Sequence, residues 1–471
     1  MSPGHFAAAR SAVCFDPELI RKYDLSGPRY TSYPTADRFT EAFTAEHFVN
    51  ALLARQSAAS GKAGALSLYV HVPFCDTICY YCACNKVVTR DHARAARYLR
   101  YVGREIEMVA KLVENSAPVE QVHWGGGTPT FLSGEEMTAL MGMLRGAFTF
   151  APGTETSIEV DPRKVDESTV ALLADLGFNR ISVGVQDFDP AVQRAVNRIQ
   201  SEEQTRLVID AARAHGFCSV NVDLIYGLPK QTRSGFATTL DKVIASSPDR
   251  IALYNYAHVP HLFKPQRSIN EKELPGPTEK LATLGLAIEK LTGAGYVYIG
   301  MDHFAKPEDE LAVAQRQGKL HRNFQGYSTH ADCDLLAFGI SAIGKVGRSY
   351  AQNVRTLDQY YARLDAGVLP TLRGATLDAD DLLRREVIQR LMCDFALDFG
   401  AIEAAHGIRF GEYFGPERAA LEGLATDGLV ELPAGGIRVT PRGRLLVRAV
   451  AMVFDRYLRE QRERARYSRV I

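Results

Sequence analysis

A chain of 471 residues with 46% hydrophobic and 23% charged side chains has the make-up of an ordinary globular protein, large enough for one barrel-sized domain and a smaller companion. Its 55 basic residues balance its 55 acidic ones, so there is no general attraction for nucleic acid or an anionic membrane, and an anionic ligand must be met by a local group of cations. Eight cysteines in so long a chain exclude a disulfide scaffold, and no apolar run approaches the roughly 20 residues that span a bilayer.

Met1 to Ile20 lacks a basic stretch followed by a sustained apolar one, and the chain is read as cytoplasmic. Residues 1–50 read as an N-terminal arm. Within it Arg29 to Ala36 is aromatic and hydroxyl-rich without a period, and is expected as an ordered loop. From Leu66 onward short β-rich runs alternate with segments of helical apolar spacing. Strands are predicted at Leu66–Val72, Gln121–Trp124, Thr156–Val160, Arg180–Val185, Ser219–Ile225 and Arg250–Tyr256, with a further one at Tyr296–Met301. Ser133-Gly-Glu-Glu136 has capping-box spacing, Asp166 and Ser201 are N-cap candidates, and Gly177 and Gly216 are candidate helix stops.

Such alternation implies parallel strands with right-handed crossovers, in a doubly wound sheet or a full or partial βα barrel. Both architectures place ligands beyond the carboxyl ends of the strands. Polar or glycine-rich residues recur there: Gly125-Gly126-Gly127-Thr128, Glu159 to Asp161, Gln186 and Asp223. Any one of them is as easily an ordinary loop residue; the recurrence is the signal. After about Leu369 the pattern turns helical, with two short strands at Gly428–Leu432 and Gly436–Thr440 and a last helix from about Arg442. That order resembles a small winged-helix domain, read as a packing module and not as a nucleic-acid reader, because fold alone does not assign function. The expected division is an arm at 1–50, a catalytic domain at 51–368 and a helical, winged-helix-like domain at 369–471.

Four of the eight cysteines fall in one loop directly after the first strand, as Cys75, Cys79, Cys82 and Cys84. Three thiolates at C-x3-C-x2-C spacing reach three corners of an iron–sulfur cubane and leave the fourth iron open, which is what a catalytic metal needs. Cys84 is a possible fourth ligand, since alternate residues of an extended Cys82-Ala-Cys84 share a face. A structural zinc knuckle is the other reading, although such sites usually combine two separated pairs.

Cys75, Cys79, Tyr81 and Cys82 match the C-x3-C-x-aromatic-C signature, and on this loop the chain resembles the radical S-adenosylmethionine (SAM) superfamily. The resemblance implies a [4Fe–4S] cluster on Cys75, Cys79 and Cys82, an open iron that chelates the methionine end of SAM, and a 5′-deoxyadenosyl radical as the reactive species. It also implies that Tyr81 packs near adenine and that the glycine run after Trp124 meets SAM with its backbone. A closer resemblance, to the oxygen-independent coproporphyrinogen III oxidase family, runs through Tyr30–Ala36, Cys82-Ala-Cys84-Asn85-Lys86, His123–Pro129, Ile158–Arg163, Asn221–Pro229, Tyr254–His258, Gly300–Phe304, His321–Tyr327 and the terminal Tyr467–Ile471.

That family implies a partial βα barrel and two SAM molecules. Carried over by position, Tyr69, Tyr81, Glu159 and Ile343 join the three cysteines around the cluster and first SAM. Gly125, Gly126, Gly127, Thr128, Gln186, Arg198, Asp223 and Ala257 surround SAM, most of them the second molecule, while Phe324 and Gln325 line the cavity and Cys84 is not a ligand. The implied reaction turns two propionates of coproporphyrinogen III into vinyl groups, with an electron donor and an electron acceptor as partners and the chain acting as a monomer. Arg29, Lys86, Arg90 and Arg322 are candidate cations for the substrate carboxylates, taken from the matching segments, although such a residue is more often a solvated surface charge. The haem-chaperone branch of the superfamily is the alternative; it lacks the Cys84 pattern and the Tyr30–Ala36 segment.

Overall fold

The computed structural model describes residues 13–56, 64–113, 117–331 and 333–460. Residues 1–12 and the terminal Tyr467–Ile471 motif lie outside the described residues. The chain divides into two compact units. The larger contains Phe39–Lys280 and Asp332–Thr376; the smaller contains the segment ending at Arg38, Leu281–Ala331 and the chain from Leu377 onward.

In the larger unit the strands are β1 (Leu66–Val72), β2 (Val119–Gly126), β3 (Phe150–Val160), β4 (Arg180–Gln186), β5 (Ser219–Tyr226), β6 (Arg250–Asn255), β7 (Asp334–Phe338), β8 (Ile343–Val346), β9 (Ser349–Asn353) and β10 (Thr371–Thr376). They lie in the order β10-β9-β8-β7-β1-β2-β3-β4-β5-β6. The run from β7 to β6 is parallel throughout, and β8, β9 and β10 are added antiparallel beyond β7. This is a partial βα barrel, as the resemblance implied, with an antiparallel extension that the alternation along the chain did not announce.

The reasons are local. In β1, Leu68, Val70 and Val72 are fully buried and Ser67 and His71 nearly so, because a parallel strand is covered on both faces and cannot alternate in polarity. Burying each of those apolar side chains contributes about 1.5–3 kcal/mol, so Val70→Asp would break the strand. The predicted helix starts are all present. Ser133 and Glu136 form a capping box, Asp166 caps through the Thr169 N–H at 2.8 Å, and Ser201 caps with Gln204. Gly177 and Gly216 follow the helix ends with φ of +89° and +79°.

The boundaries expected at 50/51 and 368/369 do not coincide with the compact units. Thr40 and Gly374 exchange backbone hydrogen bonds of 2.9 and 3.0 Å, so the chain enters the larger unit before the helix α1 (Ala45–Gln56). The segment after Leu369 supplies β10, and helix begins only at Ala379.

In the smaller unit, Tyr30 and Tyr33 are almost wholly buried, and the Tyr30 hydroxyl donates to Asp455 at 2.9 Å, which gives the expected ordered loop its anchor. Its three-stranded sheet sets Gly436–Val439 between Ala396–Asp398 and Val430–Glu431. The strand at Ala396–Asp398 adds to the predicted pair. The closing helix is broken into a 3-10 turn at Arg444–Leu446 and helices at Val447–Met452 and Arg456–Glu460.

Candidate active site

Because β1 to β6 are parallel, their carboxyl ends share one edge of the larger unit, and a cavity of about 320 Å³ opens there. Its wall includes Cys75, Cys79, Cys82 and Cys84 from the loop after β1, Gly126 to Thr128 after β2, Glu159 to Asp161 after β3, and Gln186, Arg198 and Asp223. Residues far apart in sequence meet because they lie on neighbouring strands or in the segments that follow them.

Backbone bonds shape the cysteine loop. Phe74–Cys75 pairs with Val87–Val88, and Thr89 N–H donates to Cys75 O at 2.9 Å. The tip is tied to the loop after β4, where Tyr80 N–H donates to Val196 O at 2.9 Å and the Asn197 side chain to Ile78 O at 2.8 Å. Lys86 Nζ donates to the carbonyls of Cys82 and Cys84 at 3.1 and 3.3 Å. The Cys84 thiol and the Lys86 ammonium hold Cys82 well below an ordinary thiol, whereas burial pushes Cys75 up to about 11. Three thiols on one wall, one of them already favouring the thiolate, fit an iron–sulfur centre, which takes thiolate ligands.

The glycine run is built for close packing. Gly126 has φ +114°, and a Cβ there would lie 2.6 Å from the His71 ring; a Cβ on Gly127 would lie 2.6 Å from Pro73 O, and one on Gly125 would lie 3.0 Å from the Glu159 carboxylate. Its amides are largely engaged: Gly126 N–H donates to Glu159 Oε2 at 3.1 Å, Gly127 N–H to Val72 O and Thr128 N–H to Phe74 O at 2.8 Å each. The run therefore fastens β2 to the cysteine loop as well as lining the cavity.

Burial works against the ionised Glu159 carboxylate, but His123 at 3.5 Å and the Gly126 N–H outweigh it and hold Glu159 below the usual carboxylate range. Asp223 is pushed up to about 6 by burial and by Glu159, while accepting from Ser182 at 3.0 Å and Asn221 at 2.9 Å. Gln186 takes φ +69° at a register shift between β4 and β5. Arg198 is nearly buried, donating to Gly184 O at 2.6 Å and Asp161 at 3.1 Å.

Tyr69, Gly125, Ala257 and Ile343 stand off the cavity wall. Tyr69 stacks on His123 at 5.9 Å and bonds His71 at 3.0 Å, so it supports Glu159 from behind. The Ala257 carbonyl shares the Gln266 amide with the Tyr81 carbonyl, each at 3.2 Å. Ile343 opens β8, beside Gln352. Tyr81 lines the cavity and packs on the cluster of Val192, Val196, Ile225 and Tyr256. Among the candidate cations, Lys86 is on the wall, Arg90 is exposed, and Arg29 pairs with Asp302 in the smaller unit. Arg322 is there too, buried over the Tyr327 ring at 4.7 Å, and Phe324 and Gln325 form the turn between His321–Asn323 and Gly326–Ser328. Sequence reasoning missed Arg163, Lys164 and Ser182 on the wall. Arg163 and Lys164 follow Asp161 in the strand-end segment, which was the available signal; Ser182 shows itself only through the alternation of β4.

Residues 69–243 match the radical SAM superfamily and residues 377–446 match the HemN C-terminal domain. The chain is 53% identical to the oxygen-independent coproporphyrinogen III oxidase of Pseudomonas aeruginosa, over 98% of this chain and 99% of that one. The chain belongs to the oxygen-independent coproporphyrinogen III oxidase family. Its Escherichia coli counterpart of the same name is 49% identical over 98% of this chain and 99% of its own. A solved structure titled coproporphyrinogen III oxidase (HemN) from Escherichia coli, a radical SAM enzyme, matches with TM-score 0.90 and 48% identity, over 95% of this chain and 100% of that one. These relatives support the oxidase reading over the haem-chaperone one. Within this oxidase family, the cysteine loop, glycine run and Glu159 described above all fall inside the radical SAM match. No helix among the described residues is long and apolar enough to cross a membrane.

Proposed function

We propose that this chain carries out the oxygen-independent oxidative decarboxylation of two propionates of coproporphyrinogen III, giving the vinyl groups of protoporphyrinogen IX in haem biosynthesis. The observation that carries the reading is the four-cysteine loop on a cavity at the carboxyl edge of a parallel sheet, in a chain 53% identical to a named oxidase along nearly its whole length. Cys75, Cys79 and Cys82 hold a [4Fe–4S] centre, with Cys84 beside it as a non-ligand. The centre and SAM, when bound, supply a carbon-centred radical able to take a hydrogen atom from a propionate carbon that has no acidic proton for a base to remove.

The chain's own residues bind and orient. Glu159, kept ionised by His123, presents a carboxylate suited to a ligand ammonium, while the glycine run keeps side chains out of the space beside it. Tyr81 offers an aromatic face to adenine, and Asp223, Gln186 and Arg198 offer acceptors and donors for a second SAM. Tyr69 and Ile343 stand with the three cysteines around the centre and the first SAM, and Ala257 stands beside SAM. Lys86, on the cavity wall, supplies a cation for a substrate carboxylate; one such pair at about 4 Å is worth roughly 4 kcal/mol at an effective dielectric near 20. The chain works in the cytoplasm as a monomer, and it draws on an electron donor and an acceptor.

The test is anaerobic turnover of cluster-replete protein with SAM, a strong reductant and an electron acceptor. Mass spectrometry of the products should find protoporphyrinogen IX and about two 5′-deoxyadenosines per product, one for each propionate. SAM cleavage with all four propionates intact, across a range of donors and acceptors, overturns the assignment.

A further inference from the structure

On the Cys79 side of the cavity two guanidinium groups converge on one sulfur. Arg163 Nη2 lies 3.8 Å and Arg198 Nη1 3.6 Å from Cys79 Sγ. Two such cations side by side repel, and Asp161 holds them together: its Oδ2 accepts from Arg163 Nη2 at 2.6 Å and from Arg198 Nη1 at 3.1 Å. Arg163 Nε also bonds both Asp161 oxygens, at 2.9 and 3.1 Å, so its planar fork is fixed in orientation. Two cations against one carboxylate leave one positive charge, which a Cys79 thiolate neutralises. The other cysteines have different company, Cys75 a Thr128 hydroxyl at 3.5 Å and Cys82 the Lys86 ammonium through its carbonyl.

We infer that Arg163, acting with Arg198 on Cys79 Sγ, raises the reduction potential of the iron–sulfur centre. The inference rests on the reading of Cys79 as a cluster ligand. Reduction adds negative charge that is shared with the ligand sulfurs, and donors and cations at a sulfur stabilise that charge more in the reduced form than in the oxidised form. Arg163 touches no reacting atom and is a positioning residue. Asp161 sets the strength of the effect, since each proton it accepts from the two guanidiniums is drawn away from the sulfur.

The experiment uses the full chain, reconstituted anaerobically without SAM or substrate, with iron counted and the midpoint potential read by a mediated titration followed by electron paramagnetic resonance. Arg163→Gln should retain its iron and have a midpoint more negative than that of the unaltered protein, Arg163→Lys should fall between the two, and Asp161→Asn should move the midpoint the opposite way. Generic loosening of the site moves both substitutions in the same direction, and that result, or an unshifted Arg163→Gln, overturns the inference. Loss of iron in Arg163→Gln also overturns it, in favour of a role in assembly. Cys79→Ala separates this from the underlying reading: full iron content there removes Cys79 from the ligand set, whereas iron loss there with an unshifted Arg163→Gln leaves the ligand assignment intact and sinks only the tuning role.

Discussion

Gly126 and Glu159 are joined across neighbouring parallel strands, the glycine N–H donating to the glutamate Oε2 at 3.1 Å. The same carboxylate lies 3.5 Å from His123, so one side chain fixes the glycine run and keeps its own charge. Glu159→Ala should therefore weaken SAM binding at least about tenfold, near 1.4 kcal/mol, while the iron content stays full. Equilibrium binding on reconstituted protein checks it; unchanged affinity would leave Glu159 a packing residue.

Gly126 itself should tolerate no side chain. Its φ of +114° disfavours any Cβ, and that Cβ would lie 2.6 Å from His71, whose Nε2 meets Asn85 O at 2.9 Å in the cysteine loop. Gly126→Ala should cost about 2 kcal/mol or more from backbone strain and displacement of the ring. The melting temperature of the apo-protein should fall, and reconstitution should take up less iron. A variant that melts with the unaltered protein and fills normally contradicts this.

Replacement of Cys75, Cys79 or Cys82 by Ala should abolish the broad visible absorption of the reconstituted centre. Cys84→Ala should keep it, even though Cys84 shares the cavity wall. Iron analysis distinguishes the two cases, and equal loss in all four variants would make Cys84 a ligand.

Away from the cavity, the wholly buried Glu105 accepts from Gly339 N–H at 2.8 Å, Asn353 Nδ2 at 2.6 Å and the Tyr360 hydroxyl at 2.5 Å. Burial nevertheless outweighs these donors and pushes its carboxyl from 4.5 up to about 7. The folded state thus binds the proton more tightly than the unfolded one. Below pH 4.5 Glu105 is protonated in both states and costs nothing, between 4.5 and about 7 stability declines as pH rises, and above about 7 the penalty is complete. That gap amounts to roughly 3 kcal/mol. Glu105→Gln should remove this part of the decline, which thermal melts of both proteins from pH 5 to 8 will read; parallel melting curves refute it.

The existence of strands β1 to β6, the helix caps at Ser133, Asp166 and Ser201, and the metal-binding character of the Cys75–Cys84 loop were legible in the sequence, because each depends on residues within a few positions of one another: apolar runs, side chains that reach a backbone N–H three residues on, thiols one loop apart. Matching segments also led to the family. Local pattern could not foresee that β7 joins the sheet parallel to β1 and carries the antiparallel strands β8 to β10, nor that Thr40 bridges to Gly374, since the pairings that anchor this extension, β7 to β1 and Thr40 to Gly374, join residues hundreds of positions apart. The same is true within the site. The residue types at Gly126, Glu159 and Asp161 stood out as strand ends, but only the parallel register sets Glu159 under Gly126 and brings Arg163 and Arg198 to Cys79. Sequence chose the chemistry of each group, whereas tertiary structure decided which charges face one another, because electrostatic energy depends on distance through space and not along the chain.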